Sequence, residues 1–151
     1  MTSLKVGDKA PAFEAKDQQG NVHRLADYAG KKLAVYFYPK DNTPGCTQQA
    51  CSIRDHYSEL QQKGFAILGV SMDSASSHEK FISKFELPFP LLVDDERKVI
   101  DAFGVWGPKK FMGKTYDGIH RTTFVIDESG VIQHIFDKPK TKEHGTEILS
   151  L

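Results

Sequence analysis

Two continuous apolar runs, residues 33–38 and 65–70, dominate the hydrophobic pattern of the chain. Runs of this length without alternating polar residues are typical of strands that are buried on both faces. Between them, apolar residues recur at helical spacing, which predicts one helix over residues 44–63 that Gly64 closes. A strand, a helix and a second strand in this order form a βαβ unit, so we expect the two strands to be parallel.

Clusters of turn-forming residues divide the rest of the chain into shorter elements. A polar cluster at residues 17–21 predicts an N-terminal hairpin ahead of the first buried strand. The other predicted elements are a helix that begins at a Ser76-x-x-Glu79 capping box, a strand over residues 91–93, a helix capped by Asp94 or Asp95 and ended by Gly104, a hairpin of strands 122–127 and 131–136, and a last helix over residues 141–149. Together they predict an α/β fold with a central mixed sheet flanked by helices.

Residues 105–120 are predicted to form the longest irregular segment of the chain. They carry Trp106, Phe111, Met112 and Tyr116 among glycines. Long loops are uncommon in compact domains and are often functional. The residues alone leave two interpretations open: these side chains wall a functional site, or they cover one end of the core.

Composition and charge narrow the classes of function. The chain has 151 residues, which fits one domain over residues 1–151, and its 20 basic residues balance its 20 acidic residues. A net charge near zero gives no indication of a nucleic-acid or membrane partner. The first residues lack the apolar core of a signal peptide, and no segment is apolar over the length of a bilayer, so we expect a cytoplasmic protein.

Both cysteines lie where the first apolar run ends and the predicted helix begins. Thr43 suits a helix N-cap and Pro44 suits the first helical position, which places Cys46 in the first turn. Unpaired N–H groups and the positive end of the helix dipole favour an anion there, and the thiolate is the reactive form of cysteine. The alternative is that both cysteines are small core residues, which fits Cys51 on the helix interior better than Cys46.

The pattern around Cys46 is similar to that of a known family. Pro39-x-x-x-Thr43-x-x-Cys46 resembles the peroxidatic motif of peroxiredoxins, and Cys46 with Cys51 in one helix resembles the peroxiredoxin Q group, also called bacterioferritin comigratory protein. The likeness extends over nearly the whole chain, through residues 6–13, 103–107 and 121–127. The resemblance implies a thioredoxin fold with an N-terminal β-hairpin extension.

The resemblance also implies a role for each of these residues. Cys46 is the nucleophile that attacks a peroxide oxygen and becomes a sulfenic acid, and Cys51 resolves that acid as an intramolecular disulfide. Thr43 is expected to donate its hydroxyl proton to the thiolate or the peroxide while it accepts from the loop. Arg121 is placed beside Cys46 as a permanent cation. Pro39 shields the site from water.

Two further groups of residues follow from the same resemblance. Gln49 matches a polar position that supports Arg121. The residues expected to line the substrate pocket are Phe37, Tyr38, Trp106, Phe111 and Met112. The implied substrates are hydrogen peroxide and organic hydroperoxides, the implied reductant is thioredoxin, and the implied state is a monomer without a cofactor or metal.

Other functions are compatible with a cysteine pair. A non-enzymatic redox switch or chaperone-like module could use the same two cysteines to change shape. A thiol–disulfide oxidoreductase is disfavoured because it normally separates its cysteines by two residues, and here four intervene. A papain-like pair of Cys46 and His120 lacks an oxyanion-hole motif. No His or Cys spacing fits a structural zinc site, and no glycine-rich phosphate loop follows a strand.

Overall fold

The core of the protein is a 7-stranded mixed sheet in the strand order β2-β1-β5-β4-β3-β8-β9. The computed structural model describes residues 2–151. Strand β3 pairs in parallel with β4, and β4 with β5, whereas β8 runs antiparallel to β3. The strands are β1 Glu14–Asp17, β2 Val22–Arg24, β3 Lys32–Phe37, β4 Phe65–Ser71, β5 Leu91–Val93, β6 Trp106–Phe111, β7 Lys114–Ile119, β8 Thr122–Ile126 and β9 Ile132–Phe136.

Helices cover the sheet, and strand β3 is buried on both of its faces. The helices are α1 Pro44–Asp55, α2 Tyr57–Gln62, α3 Ala75–Phe85, α4 Lys98–Phe103 and α5 His144–Leu149. Side chains alternate across a strand, so Leu33, Val35 and Phe37 enter one core cluster. Ala34, Tyr36 and Tyr38 enter the other cluster, which also holds side chains of α1 and α5. The prediction of two parallel, fully buried strands in a mixed sheet is confirmed.

The predicted single helix over residues 44–63 is wrong, because the chain breaks at His56 into α1 and α2. In a continuous helix the His56 N–H would donate to the Ser52 carbonyl. Here the His56 ring nitrogen Nδ1 lies 2.9 Å from that carbonyl oxygen, and the His56 N–H donates to Ile53 instead. The side chain has replaced the backbone as the partner of Ser52, so α1 ends at Asp55 and the helical conformation resumes at Tyr57 as α2.

Residues 105–120 do not form the irregular segment that the sequence predicted. Residues 106–119 form a separate antiparallel hairpin of β6 and β7, which turns at Met112 and Gly113. Both turn residues have positive φ, 51° and 78°, as a tight two-residue hairpin turn requires. The prediction failed because Met in a left-handed conformation carries no turn signal in the sequence.

Two helix starts also differ from the sequence prediction. Helix α3 begins at Ala75, and its cap is Ser74, whose hydroxyl accepts from the Ser77 N–H at 3.1 Å, so the Ser76-x-x-Glu79 capping box is wrong. At α4, the Asp94 carboxylate accepts from the N–H groups of Val99 and Ile100 at 3.1 and 2.7 Å. The residue directly before α4 is Arg97, so neither Asp94 nor Asp95 stands at the N-cap, although the Asp94 side chain satisfies N–H groups of the first turn. Within the described residues, no helix is long and apolar enough to cross a membrane.

Candidate active site

Cys46 lies in the first turn of α1, which follows the inner strand β3 and a short loop. Thr43 precedes the helix in an extended conformation and Pro44 is its first residue, as the sequence indicated. The Cys46 side chain is 2 % exposed, Cys51 is partly exposed, and both are free thiols. The helix continues through both cysteines to Asp55. A buried thiol therefore belongs to the first turn, at the positive end of the helix.

Arg121, which is distant in the sequence, contacts this sulfur. Its Nη2 donates to Cys46 Sγ at 3.2 Å, and its Nη1 donates to Gln49 Oε1 at 2.6 Å. Arg121 immediately precedes β8, whose antiparallel pairing sets Thr122 opposite Phe37 at the end of β3. The sheet thus brings together residues that are 75 positions apart in the sequence. A guanidinium that donates to the sulfur stabilises its anionic form, because charge-assisted hydrogen bonds are the strong ones.

The Thr43 hydroxyl has the opposite role from the one predicted. It donates to the Lys40 carbonyl oxygen at 2.8 Å. A hydroxyl has one proton, so this bond leaves Thr43 able only to accept from a sulfhydryl or a peroxide. The expectation that Thr43 donates to the thiolate or peroxide while accepting from the loop is therefore wrong. Pro39 is half-buried in the same loop, between β3 and Lys40.

Of the five residues predicted to line the pocket, the structure places Tyr38 in the same core cluster as Cys46. Phe37 points to the opposite face, where its ring lies 5.2 and 5.9 Å from those of Phe103 and Phe124. Trp106 packs against that same opposite cluster. The Phe37 assignment is corrected because side chains alternate along β3, and those at 36 and 38 share the face of Cys46. The Trp106 assignment is corrected because this side chain packs with the cluster opposite that of Cys46.

The other two predicted pocket residues lie at the far end of the β6–β7 hairpin. Phe111 is 66 % exposed and Met112 is 87 % exposed. Their side chains project into solvent because the hairpin pairs only with itself and extends from the sheet. In this arrangement they do not enclose the Cys46 sulfur, so the prediction that they line its pocket is wrong.

Tyr36 is a residue of this site that sequence reasoning missed. It is fully buried in the Cys46 cluster, and burial, followed by the nearby Cys46, raises the pKa of its hydroxyl well above the usual value. Within residues 2–151, its hydroxyl and the Gln49 Nε2 are buried without a hydrogen-bond partner. The two-residue period that links Tyr36 to Tyr38 would have placed it here.

Tyr36→Phe is expected to stabilise the reduced protein. A buried polar atom without a partner costs about 1–3 kcal/mol, and removal of the hydroxyl leaves the ring packing in place. We expect an increase in the free energy of unfolding of roughly 1 kcal/mol, measured by urea denaturation. Tyr57→Phe, which removes a half-buried hydroxyl elsewhere, is the matched control. A loss of stability in Tyr36→Phe would show that the hydroxyl has a partner in solution.

Asp41, Asp73 and His78 form the group within residues 2–151 whose spacing suits a metal ion, with ligand atoms within 4.8 Å of one another. Both carboxylate oxygens of Asp41 and the Oδ2 atom of Asp73 already have hydrogen-bond partners. Asp41 Oδ2 lies 2.6 Å from His78 Nδ1, and Asp73 Oδ2 accepts from the Asp41 N–H at 2.9 Å. A metal ion would have to displace these bonds, so the donor set fits an internal hydrogen-bond network better than a metal site.

A buried cysteine at the N-terminus of a helix that follows an inner strand of a mixed sheet defines a thioredoxin-fold thiol protein. Residues 6–135 match the AhpC/TSA family. The chain is 52 % identical over 149 residues to the putative peroxiredoxin bcp of Haemophilus influenzae, covering 99 % of this chain and 96 % of that protein. It is 49 % identical over 150 residues to peroxiredoxin Bcp of Escherichia coli, with the same coverage.

Solved structures show the same fold. Peroxiredoxin Q of Xanthomonas campestris superposes with a TM-score of 0.88 at 34 % identity, over 99 % of this chain and 94 % of that one. A cysteine-to-serine mutant of PrxQ from Xylella fastidiosa superposes with a TM-score of 0.92 at 30 % identity, over 99 % and 96 %. The chain therefore belongs to the AhpC/TSA family and, within it, to the Bcp or peroxiredoxin Q peroxiredoxins.

Proposed function

We propose that the protein is a thiol peroxidase in which Cys46 reduces hydrogen peroxide and organic hydroperoxides. The observation that carries this proposal is the contact of Arg121 with the Cys46 sulfur at 3.2 Å, in the first turn of α1. A cation and a helix N-terminus together favour a thiolate, which is the nucleophilic form. The relatives named peroxiredoxins support the same reaction class.

In the first step the Cys46 thiolate attacks the nearer oxygen of a hydroperoxide. A sulfur–oxygen bond forms, the oxygen–oxygen bond breaks, and the distal oxygen leaves as water or an alcohol after it takes up a proton. The cysteine is oxidised to a sulfenic acid and the peroxide is reduced. Arg121 stabilises the negative charge while it moves from the Cys46 sulfur to the departing peroxide oxygen. Thr43, whose proton is engaged by Lys40, accepts a hydrogen bond from the peroxide O–H.

In the second step the Cys51 thiol attacks the sulfenic acid of Cys46. A disulfide forms within the chain, and water leaves. A dithiol protein such as thioredoxin then reduces the disulfide and returns both cysteines to the thiol state. This cycle needs no second subunit because both cysteines belong to one helix. We therefore propose that the chain acts as a monomer and one domain, in a reducing compartment such as the cytoplasm.

The test of this proposal is a coupled assay with purified protein, thioredoxin, thioredoxin reductase and NADPH. One NADPH should be oxidised for each hydrogen peroxide or tert-butyl hydroperoxide consumed, at a rate proportional to the protein concentration. A redox switch or chaperone-like module would lose two thiols once and then stop. A rate no greater than that of free cysteine would contradict the proposal.

Arg121→Lys is expected to slow peroxide attack more than it affects folding. The ammonium keeps the charge but loses the planar fork that contacts Cys46 Sγ and Gln49 Oε1 together. We expect kcat/KM to fall by roughly 10- to 100-fold, as one or two charge-assisted hydrogen bonds allow. Arg24→Lys, at an exposed ion pair with Glu14, is the matched control and should keep full activity. Unchanged kcat/KM in Arg121→Ala would refute the role of Arg121.

A further inference from the structure

The peptide group between Lys40 and Asp41 is held at both of its polar atoms. Its N–H, from Asp41, donates to Asp73 Oδ2 at 2.9 Å. Its carbonyl, from Lys40, accepts from the Thr43 hydroxyl at 2.8 Å. A peptide group is planar, and in the trans form its N–H and C=O point in opposite directions. The bond to Asp73 therefore determines where the Lys40 carbonyl points.

Asp73 is itself anchored to the end of the central sheet. The hydroxyl of Ser71, the last residue of β4, donates to Asp73 Oδ2 at 2.7 Å and accepts from the Asp73 N–H at 3.3 Å. Ser71 is fully buried. The same carboxylate oxygen thus receives a hydrogen bond from the sheet and one from the Lys40–Asp41 peptide, so it ties the loop to β4.

The Asp41 side chain fastens the same loop residue to other elements. Its carboxylate accepts from the hydroxyls of Tyr38 and Ser77 and lies 2.6 Å from His78 Nδ1. His78 Nε2 lies 2.9 Å from the Leu92 carbonyl oxygen, which can only accept, so Nε2 carries a proton. The Asp41 and His78 side chains are 3 % and 0 % exposed. Because its side chain is fixed in this way, Asp41 leaves the peptide group free only to rotate about the line that joins the Cα atoms of Lys40 and Asp41. The hydrogen bond to Asp73 restrains that rotation.

We propose that Asp73 is a positioning residue for peroxide reduction and that it acts through Thr43. Asp73 fixes the Lys40–Asp41 peptide, and the Lys40 carbonyl then accepts the hydrogen bond that the Thr43 hydroxyl donates. The Thr43 oxygen is left as an acceptor for the O–H of a bound hydroperoxide. Without Asp73, the peptide can rotate and the Thr43 hydroxyl is free to turn its proton towards the substrate. This inference rests on the proposed function, because it requires that peroxide binds beside Cys46.

A double-mutant cycle tests this inference. Asp73→Ala should lower kcat/KM for hydrogen peroxide about tenfold, the equivalent of one hydrogen bond. Thr43→Val should lower it by a similar or larger factor. In the Thr43→Val background, Asp73→Ala should cause no further loss beyond about twofold, because interacting residues are not additive. Asp73→Asn keeps a carbonyl oxygen at the same place and should restore most of the rate.

Alkylation of Cys46 by iodoacetamide separates positioning from general damage to the site. This reagent brings no O–H to the sulfur, so its rate with Asp73→Ala should equal that of the wild type. Glu79→Ala, which removes an exposed carboxylate on α3, is the matched control and should keep its peroxide rate. If Asp73→Ala does not fold, Ser71→Ala replaces it in the cycle, with the same pattern of non-additivity expected.

Three outcomes overturn the inference alone, and a fourth overturns the proposed function with it. The first is a full Asp73→Ala effect in the Thr43→Val background, and the second is an equal loss in alkylation and peroxide rates. In the third, Asp73→Ala keeps the wild-type peroxide rate while Thr43→Val does not, which removes the role of Asp73 and leaves the proposed function intact. A wild type that reacts with peroxide no faster than free cysteine removes the proposed function and this inference together.

Discussion

Cys46→Ser is expected to reduce peroxide turnover to the background rate while the fold stays intact. A serine hydroxyl is not ionised near neutral pH and cannot form a sulfenic acid, so the first step has no nucleophile. Serine is nearly isosteric with cysteine, and it can still accept the hydrogen bond that Arg121 donates at this position. The measurement is the NADPH-coupled rate with thioredoxin, together with the melting temperature, which should change by no more than a few degrees.

The matched control is the same substitution at the other cysteine, Cys51→Ser. Cys51→Ser should lose the coupled turnover with thioredoxin but keep the first attack on peroxide, measured as loss of one thiol for each peroxide consumed. The two variants therefore differ in the step that they block. Peroxide consumption by Cys46→Ser at the wild-type rate, or a normal first attack that depends on Cys51 instead, would contradict the assignment.

Local rules were sufficient to place the strand, the loop and the start of the cysteine helix. Residues 33–38 and 65–70 form strands because continuous apolar runs are stable only when both faces are covered, and the structure covers both. Helix α1 begins at Pro44, as its sequence indicates. The break at His56 was not predictable, because it depends on a ring nitrogen that takes the Ser52 carbonyl.

Contacts between distant segments could not be predicted from spacing. Arg121 reaches Cys46 because β8 pairs with β3, and only the resemblance to peroxiredoxins indicated that contact before the structure. The link from Asp73 to Asp41 depends on how the end of β4 meets the loop, and no motif marks it. Phe37 is a different case, since simple alternation along β3 would have assigned it to the face opposite Tyr36 and Tyr38, although the resemblance placed it in the pocket with Tyr38.

The second large effect concerns the disulfide between Cys46 and Cys51. Five residues along an ideal α-helix rise about 7.5 Å and turn by about 140°, which separates the two Cα atoms by roughly 8.7 Å. A disulfide requires the Cα atoms to lie within about 7 Å, with the side chains directed at each other. Helix α1 runs without a break from Pro44 to Asp55. The bond therefore cannot form until part of the first turns unwinds.

Contacts with the C-terminal segment define how far the unwinding should extend. The Gly145 N–H donates to the Ser52 hydroxyl at 2.9 Å, and α5 packs so closely there that an added Cβ at Gly145 would overlap the Ser52 carbonyl oxygen. These contacts hold the second half of α1 in place. Before Ser52, the Thr141 hydroxyl donates to Gln48 at the exposed surface, which is a weak restraint. The stronger restraint there is Arg121, whose bonds to Cys46 and Gln49 must be released before Cys46 can reach Cys51. We therefore expect residues 45–51 to unwind and residues 52–55 to stay helical.

Oxidation by one equivalent of hydrogen peroxide is accordingly expected to lower helix content and to speed amide exchange across residues 45–51. Local opening of this kind costs far less free energy than global unfolding, so the rest of the protein should keep its protection. Circular dichroism at 222 nm and hydrogen–deuterium exchange by mass spectrometry measure the two changes. Cys51→Ser treated in the same way should accumulate sulfenic acid, trapped by dimedone, and show neither change. An oxidised protein that keeps its helix through Cys51 would refute this mechanism, because Cys46 would then be resolved without unwinding of α1. A disulfide that joins two chains on a non-reducing gel would also refute it, because the resolving thiol would then belong to another chain.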